Sequence, residues 1–85
     1  MKTVWKFSFE IKDTIKIKLP AFAEILHVET QGNFPAMWCL IDDEAEYVEK
    51  TFYLRGTGHE VEKNLKHITT WLDGPFVWHL FENKG

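Results

Sequence analysis

The residues with the clearest chemical potential form one short segment, Arg55-Gly56-Thr57-Gly58-His59, which holds the chain's single arginine. Glycines around a threonine free the backbone for positive φ and let successive N–H groups converge on an anion. An arginine beside them can grip that anion bidentately. The segment is therefore a candidate phosphate-binding loop made of Arg55, Gly56, Thr57, Gly58 and His59. The same composition also makes a plain turn at the end of a strand, so both readings stand at this point.

Other reactive side chains are scattered. His27, His59, His67 and His79 show no pair two residues apart on a strand, and Cys39 has no second cysteine, so neither metal ligation nor a cofactor is expected. Asp42, Asp43, Glu44 and Glu46 lack the glycine that folds a calcium loop around its ion. Cys39 lies in an apolar run and reads as a buried thiol, and Ser8, the only serine, alternates with lysine and glutamate in mid-strand. Nothing in the chain selects a nucleophile with its base, so a non-enzymatic protein is expected. Trp38, Trp71, Trp78 and Phe81 read as interface anchors, with Trp71 and Trp78 the most exposed, because stacking platforms for bases come with neighbouring Lys or Arg.

These side chains sit in an 85-residue chain that is 45% hydrophobic and 15% aromatic, enough for one core and too short for two. No apolar run reaches the length of a membrane-spanning helix. One cysteine and no charged-then-apolar leader before Val4 point to an intracellular protein. The net charge of -3 is segregated: residues 1 to 20 carry +3, residues 21 to 49 carry -7 with no lysine or arginine, and residues 50 to 85 carry +1. Such segments neutralise one another when a sheet brings them side by side. With no basic cluster beside the aromatics, general nucleic-acid binding is not expected.

Strand periodicity runs along almost the whole chain. Trp5, Phe7, Phe9 and Ile11 share one face of a first strand over Val4–Ile11. Ile15, Ile17 and Leu19 share one face of a second, and Lys12-Asp13 between them predicts a hairpin. Further strands are predicted at Glu24–Thr30, ended by Gln31-Gly32-Asn33, at Ala36–Asp42, at Thr51–Arg55, and at Lys66–Leu72 and Phe76–Glu82 around Asp73-Gly74-Pro75. Residues 43 to 49 read as an acidic loop, and 59 to 65 as a polar one. The fold class is all-β, one domain over residues 1–85 with about seven short strands, as a compact sandwich or open barrel. The fourth strand and the last two are apolar on both faces, which predicts a homo-oligomer, most simply a dimer.

The segments Val4-Trp5-Lys6-Phe7, Trp38-Cys39-Leu40-Ile41-Asp42, Gly56-Thr57-Gly58-His59 and Val77-Trp78-His79-Leu80-Phe81-Glu82 together resemble a family of small uncharacterised proteins of phages and prophage regions. Asp43 departs from the proline expected after Asp42. The resemblance implies an accessory protein in the host cytoplasm, and proteins of that origin often block or divert host defence. Three classes of function follow: an inhibitor that binds a host protein, an oligomer that binds a phosphorylated nucleotide or signal molecule at Arg55–His59, and a virion or assembly component.

Overall fold

Alternating apolar residues on seven strands give two sheets whose inner faces share one core. The computed structural model describes residues 1–85. The strands are β1 (Lys2–Ser8), β2 (Thr14–Pro20), β3 (Glu24–Gln31), β4 (Phe34–Asp42), β5 (Tyr47–Gly56), β6 (Leu65–Asp73) and β7 (Phe76–Asn83). One antiparallel sheet has the order β1-β4-β3, the other β2-β5-β7-β6. Met37, Cys39 and Ile41 of β4 face Ile15, Leu19, Phe52, Leu54 and Leu80 across the sandwich, and all are buried. No helix is long and apolar enough to cross a membrane.

The two local hairpins form where the turn residues predict them. Asp73 pairs with Phe76, leaving Gly74-Pro75 as a two-residue turn. Gly74 has a φ of 56°, and the pyrrolidine ring holds Pro75 at negative φ, which is the type II′ pattern that matches strand twist. Gln31 and Phe34 flank Gly32-Asn33 in the same way.

The hairpin predicted at Lys12-Asp13 does not form. β1 pairs with β4 and β2 with β5, so residues 9–13 carry the chain from one sheet to the other. The cause is Phe9. Its N–H donates to Pro35 O (3.0 Å), the last rung of the β1 ladder, and its ring then turns into the core against Trp71, edge to face at 6.2 Å. The acidic loop is also shorter than expected, because β5 begins at Tyr47 and sets Glu49 opposite Lys18. Lys2 likewise lies opposite Asp42, so the segregated charges of the sequence meet across the ladders.

One side of the sandwich is shut. Edge strands β3 and β6 run close together, and the Trp71 indole N–H on β6 donates to Thr30 Oγ1 on β3 at 3.1 Å. The edges of β1 and β2 on the other side do not meet in this way.

Candidate functional site

The Arg55–His59 segment is a tight turn leaving β5. His59 N–H donates to Gly56 O at 3.1 Å, and Gly58, third of the four residues, has a φ of 90° that a side chain would resist. The turn is closed a second time, because Gly56 N–H donates to His59 Nδ1 at 3.2 Å. That bond keeps the proton of a neutral His59 on Nε2. The imidazole packs so closely on Gly56 that a Cβ there would lie 3.0 Å from the ring.

Arg55 does not reach into this turn. Its Nη1 donates to Asp13 O (3.1 Å) and Leu54 O (2.9 Å), and its Nη2 donates to Glu62 Oε2 at 2.6 Å. Only 16% of the side chain is exposed. The arginine thus clamps the β1–β2 link and the 57–64 connection onto β5, and it holds the Glu62 carboxyl below its ordinary value of 4.5. An anion at the turn would meet the Thr57 and Gly58 N–H groups, while the Gly56 N–H and three of the five guanidinium donors are already engaged. Beside the turn lies a cavity of about 320 Å³, with Thr57 and His59 on one side and Phe76 and Trp78 on the other.

The polar chemistry that does converge lies on the outer face of the four-stranded sheet. Register places Arg55, His79 and Thr70 in one row and Tyr53, Phe81 and His67 in the next. His79 Nδ1 and His67 Nε2 both bond Thr70 Oγ1 at 2.8 Å, and His79 Nε2 bonds Thr57 Oγ1 at 2.9 Å. The chain His67–Thr70–His79–Thr57 can be filled with protons in either direction, so it can pass one proton along its length. Phe81 packs its ring on His67, edge to face at 5.5 Å. No group of three or more His, Cys, Asp or Glu gathers as metal ligands. Cys39 lies in the core, and burial pushes its thiol up to about 11.

The tryptophans are placed differently from the expectation of exposure. Trp71 is only 5% exposed and belongs to the core, because the bulge between His67 and Thr69 shifts the alternation of β6. Trp78 is half-buried on the inner face, stacked on Phe76 at 5.7 Å and donating to Asp73 Oδ2 at 3.2 Å. Trp38 is half-buried on the outer face of the three-stranded sheet, 6.0 Å from His27. The most exposed tryptophan is Trp5, at 40%, on an edge strand.

Sequence reasoning missed Phe22. It sits in the Pro20–Ala23 turn, closed by Ala23 N–H to Pro20 O at 3.1 Å, with a φ of 64° and a fully exposed ring. Glycine is the usual residue at such a position, so only the absence of one after Pro20-Ala21 could have signalled it.

The fold and these surfaces define a small two-sheet all-β domain whose polar network lies on an open sheet face. All 85 residues match the family described as a domain of unknown function, DUF7352, and the chain belongs to that family. No curated protein and no solved structure matches it.

Proposed function

We propose that this chain is a non-enzymatic binding protein that acts by contact with another protein, in the host-cytoplasm setting that its resemblance to phage and prophage proteins implies. The observation that carries this reading is Phe22. A bulky side chain in the left-handed region costs about 1–2 kcal/mol, and here the ring is held wholly in water, where it gains nothing from the fold. An aromatic that is both strained and exposed is best used as an anchor for a partner's pocket. Tyr47, exposed and adjoining the same turn through Ala21 N–H to Glu46 O, broadens the anchor. Affinity capture from host lysate tests the reading. A host protein retained by the unmodified chain and lost with Phe22→Gly supports it, and undiminished capture by the variant overturns the anchor.

Self-association belongs to the same reading. On the outer face of the three-stranded sheet, half-buried Trp38 and Leu40 of β4 are flanked by exposed Val4, Leu26 and Phe34. Lys2 and Lys6 lie along one side of this stripe and Glu24 and Glu29 along the other. A twofold axis parallel to β4 sets the lysines of one copy over the glutamates of the next, which is the self-complementary pattern of an isologous dimer. Binding of a phosphorylated ligand at Arg55–His59 is the weaker alternative, since Arg55 is held by Glu62.

A further inference from the structure

The sandwich is open on the side where β1 and β2 are the edge strands, and hydrogen bonding shows which backbone groups line this seam. Phe9 N–H donates to Pro35 O, and Asp43 N–H donates to Met1 O, both at 3.0 Å. By antiparallel alternation, Thr3, Trp5 and Phe7 therefore bond to β4, while Lys2, Val4, Lys6 and Ser8 turn their N–H and C=O groups to the unpaired side. On β2, Leu54 N–H to Asp13 O (3.0 Å) and Ala21 N–H to Glu46 O (2.8 Å) commit Ile15, Ile17 and Leu19 to β5. Thr14, Lys16 and Lys18 are left with free amides and carbonyls. The fourth residue of that edge is Pro20, which has no N–H to leave free.

The seam also has a shape and a charge pattern. A cavity of about 450 Å³ opens at its β1–β2 end, with Phe9, Ile15 and Ile17 as apolar lining, Lys16 beside them, and Lys12 paired there with Glu10 at 3.5 Å. Trp5 and Phe7, opposite core residues Cys39 and Met37, face inward on β1, and Trp5 is exposed for want of a neighbour. Side chains alternate with these inward ones, so Lys2 and Lys6 rim one side and Lys16 and Lys18 the other. Four of the nine lysines thus rim the seam, while a fifth, Lys12, is paired with Glu10 at its end.

We propose that this seam receives an extended segment of a partner protein, which adds to the free edge of β2 with apolar side chains inward and carboxylates outward. The proposal rests on the reading of the chain as a protein-binding protein and names the partner's chemistry. Main-chain bonds to Lys16 and Lys18 fix the register, and alternate apolar side chains reach Trp5 and Ile17. A second copy does not fit. Both free edges are lysine-rich, and edge-to-edge pairing of two copies would set lysine against lysine. The cationic rim selects the acidic alternative.

A synthetic peptide alternating Glu and Val, about nine residues long to match a strand, tests this on the full chain. The expected result is binding that weakens with salt and slows hydrogen exchange at the Lys16 and Lys18 amides, with Ile15 and Ile17 unchanged because they are already in the ladder. Lys16→Gln with Lys18→Gln should lower affinity about tenfold with the fold intact. Lys16→Pro, which also removes an edge N–H but no rung to β5, should weaken binding more than Lys16→Gln. Absence of protection at both amides overturns the proposal, leaving the lysines as guards against edge pairing. Equal binding of a Lys-Val peptide, or of a shuffled Glu-Val peptide, overturns it too. Phe22→Gly separates the two readings. It should leave peptide binding unchanged, so peptide failure with Phe22-dependent capture intact sinks the seam alone, and peptide binding with Phe22-independent capture sinks the anchor alone.

Discussion

Phe22 and Gly58 occupy the same backbone region with opposite consequences. Phe22→Gly removes a left-handed strain of about 1–2 kcal/mol, part of which is offset by the greater unfolded-state freedom of glycine. A net gain of up to about 1 kcal/mol is expected in denaturant unfolding, together with loss of partner capture. Gly58→Ala should go the other way and cost roughly 1 kcal/mol, although open space surrounds the new methyl, because the cost is in the backbone. Glu62 brings pH dependence. Its folded value lies below 4.5, so the Arg55–Glu62 tether contributes fully above about pH 4.5 and is lost as pH falls through the folded value. Backbone relaxation of residues 57–64 should show the connection loosening on acidification. Glu62→Gln should be loose already at neutral pH and show no such step.

At the scale of elements, the contact of β3 with β6 includes one half-buried polar bond. Thr30→Val keeps the shape but leaves the Trp71 indole N–H without its partner, at a cost of about 1–3 kcal/mol in unfolding measurements. Trp71→Phe in that background removes the stranded donor and should recover part of the loss. The same region shows what a sequence can and cannot display. Alternation marked the seven strands, and Gly74-Pro75 announced its hairpin, because period and turn chemistry are local. The fate of Trp71 was not local. A bulge at His67/Thr69 turns it inward, and nothing in Lys66–Leu72 marks that shift. Phe9 was read as one more residue on the first strand's face and does keep that inward face, but the β1 ladder ends there and the chain crosses to the other sheet, a change of partner that alternation does not display. The lone arginine drew notice to the Arg55 segment, but its partners, Asp13 O and Glu62, are joined to it only by folding. The chain His67–Thr70–His79–Thr57 likewise exists only through register across three strands.

For the whole molecule, the apolar stripe through Trp38 predicts a dimer that light scattering at tens of micromolar should detect. Trp38→Glu should leave a folded monomer, since Trp38 lies outside the core, and a monomeric unmodified protein would contradict the twofold arrangement. Topology also bears on how the protein is made. β1 and β2 each pair with a strand three places further along, and β5 must wait for β7 to fill its other side. As the chain leaves the ribosome, the first two strands therefore emerge with no partner yet synthesised, and the four-stranded sheet cannot close until β7 has been translated. Pairings so distant along the chain form slowly. The unpaired strands of neighbouring nascent chains would then meet lysine to lysine, a like-charge juxtaposition that disfavours their pairing during the interval when they have nothing of their own to pair with.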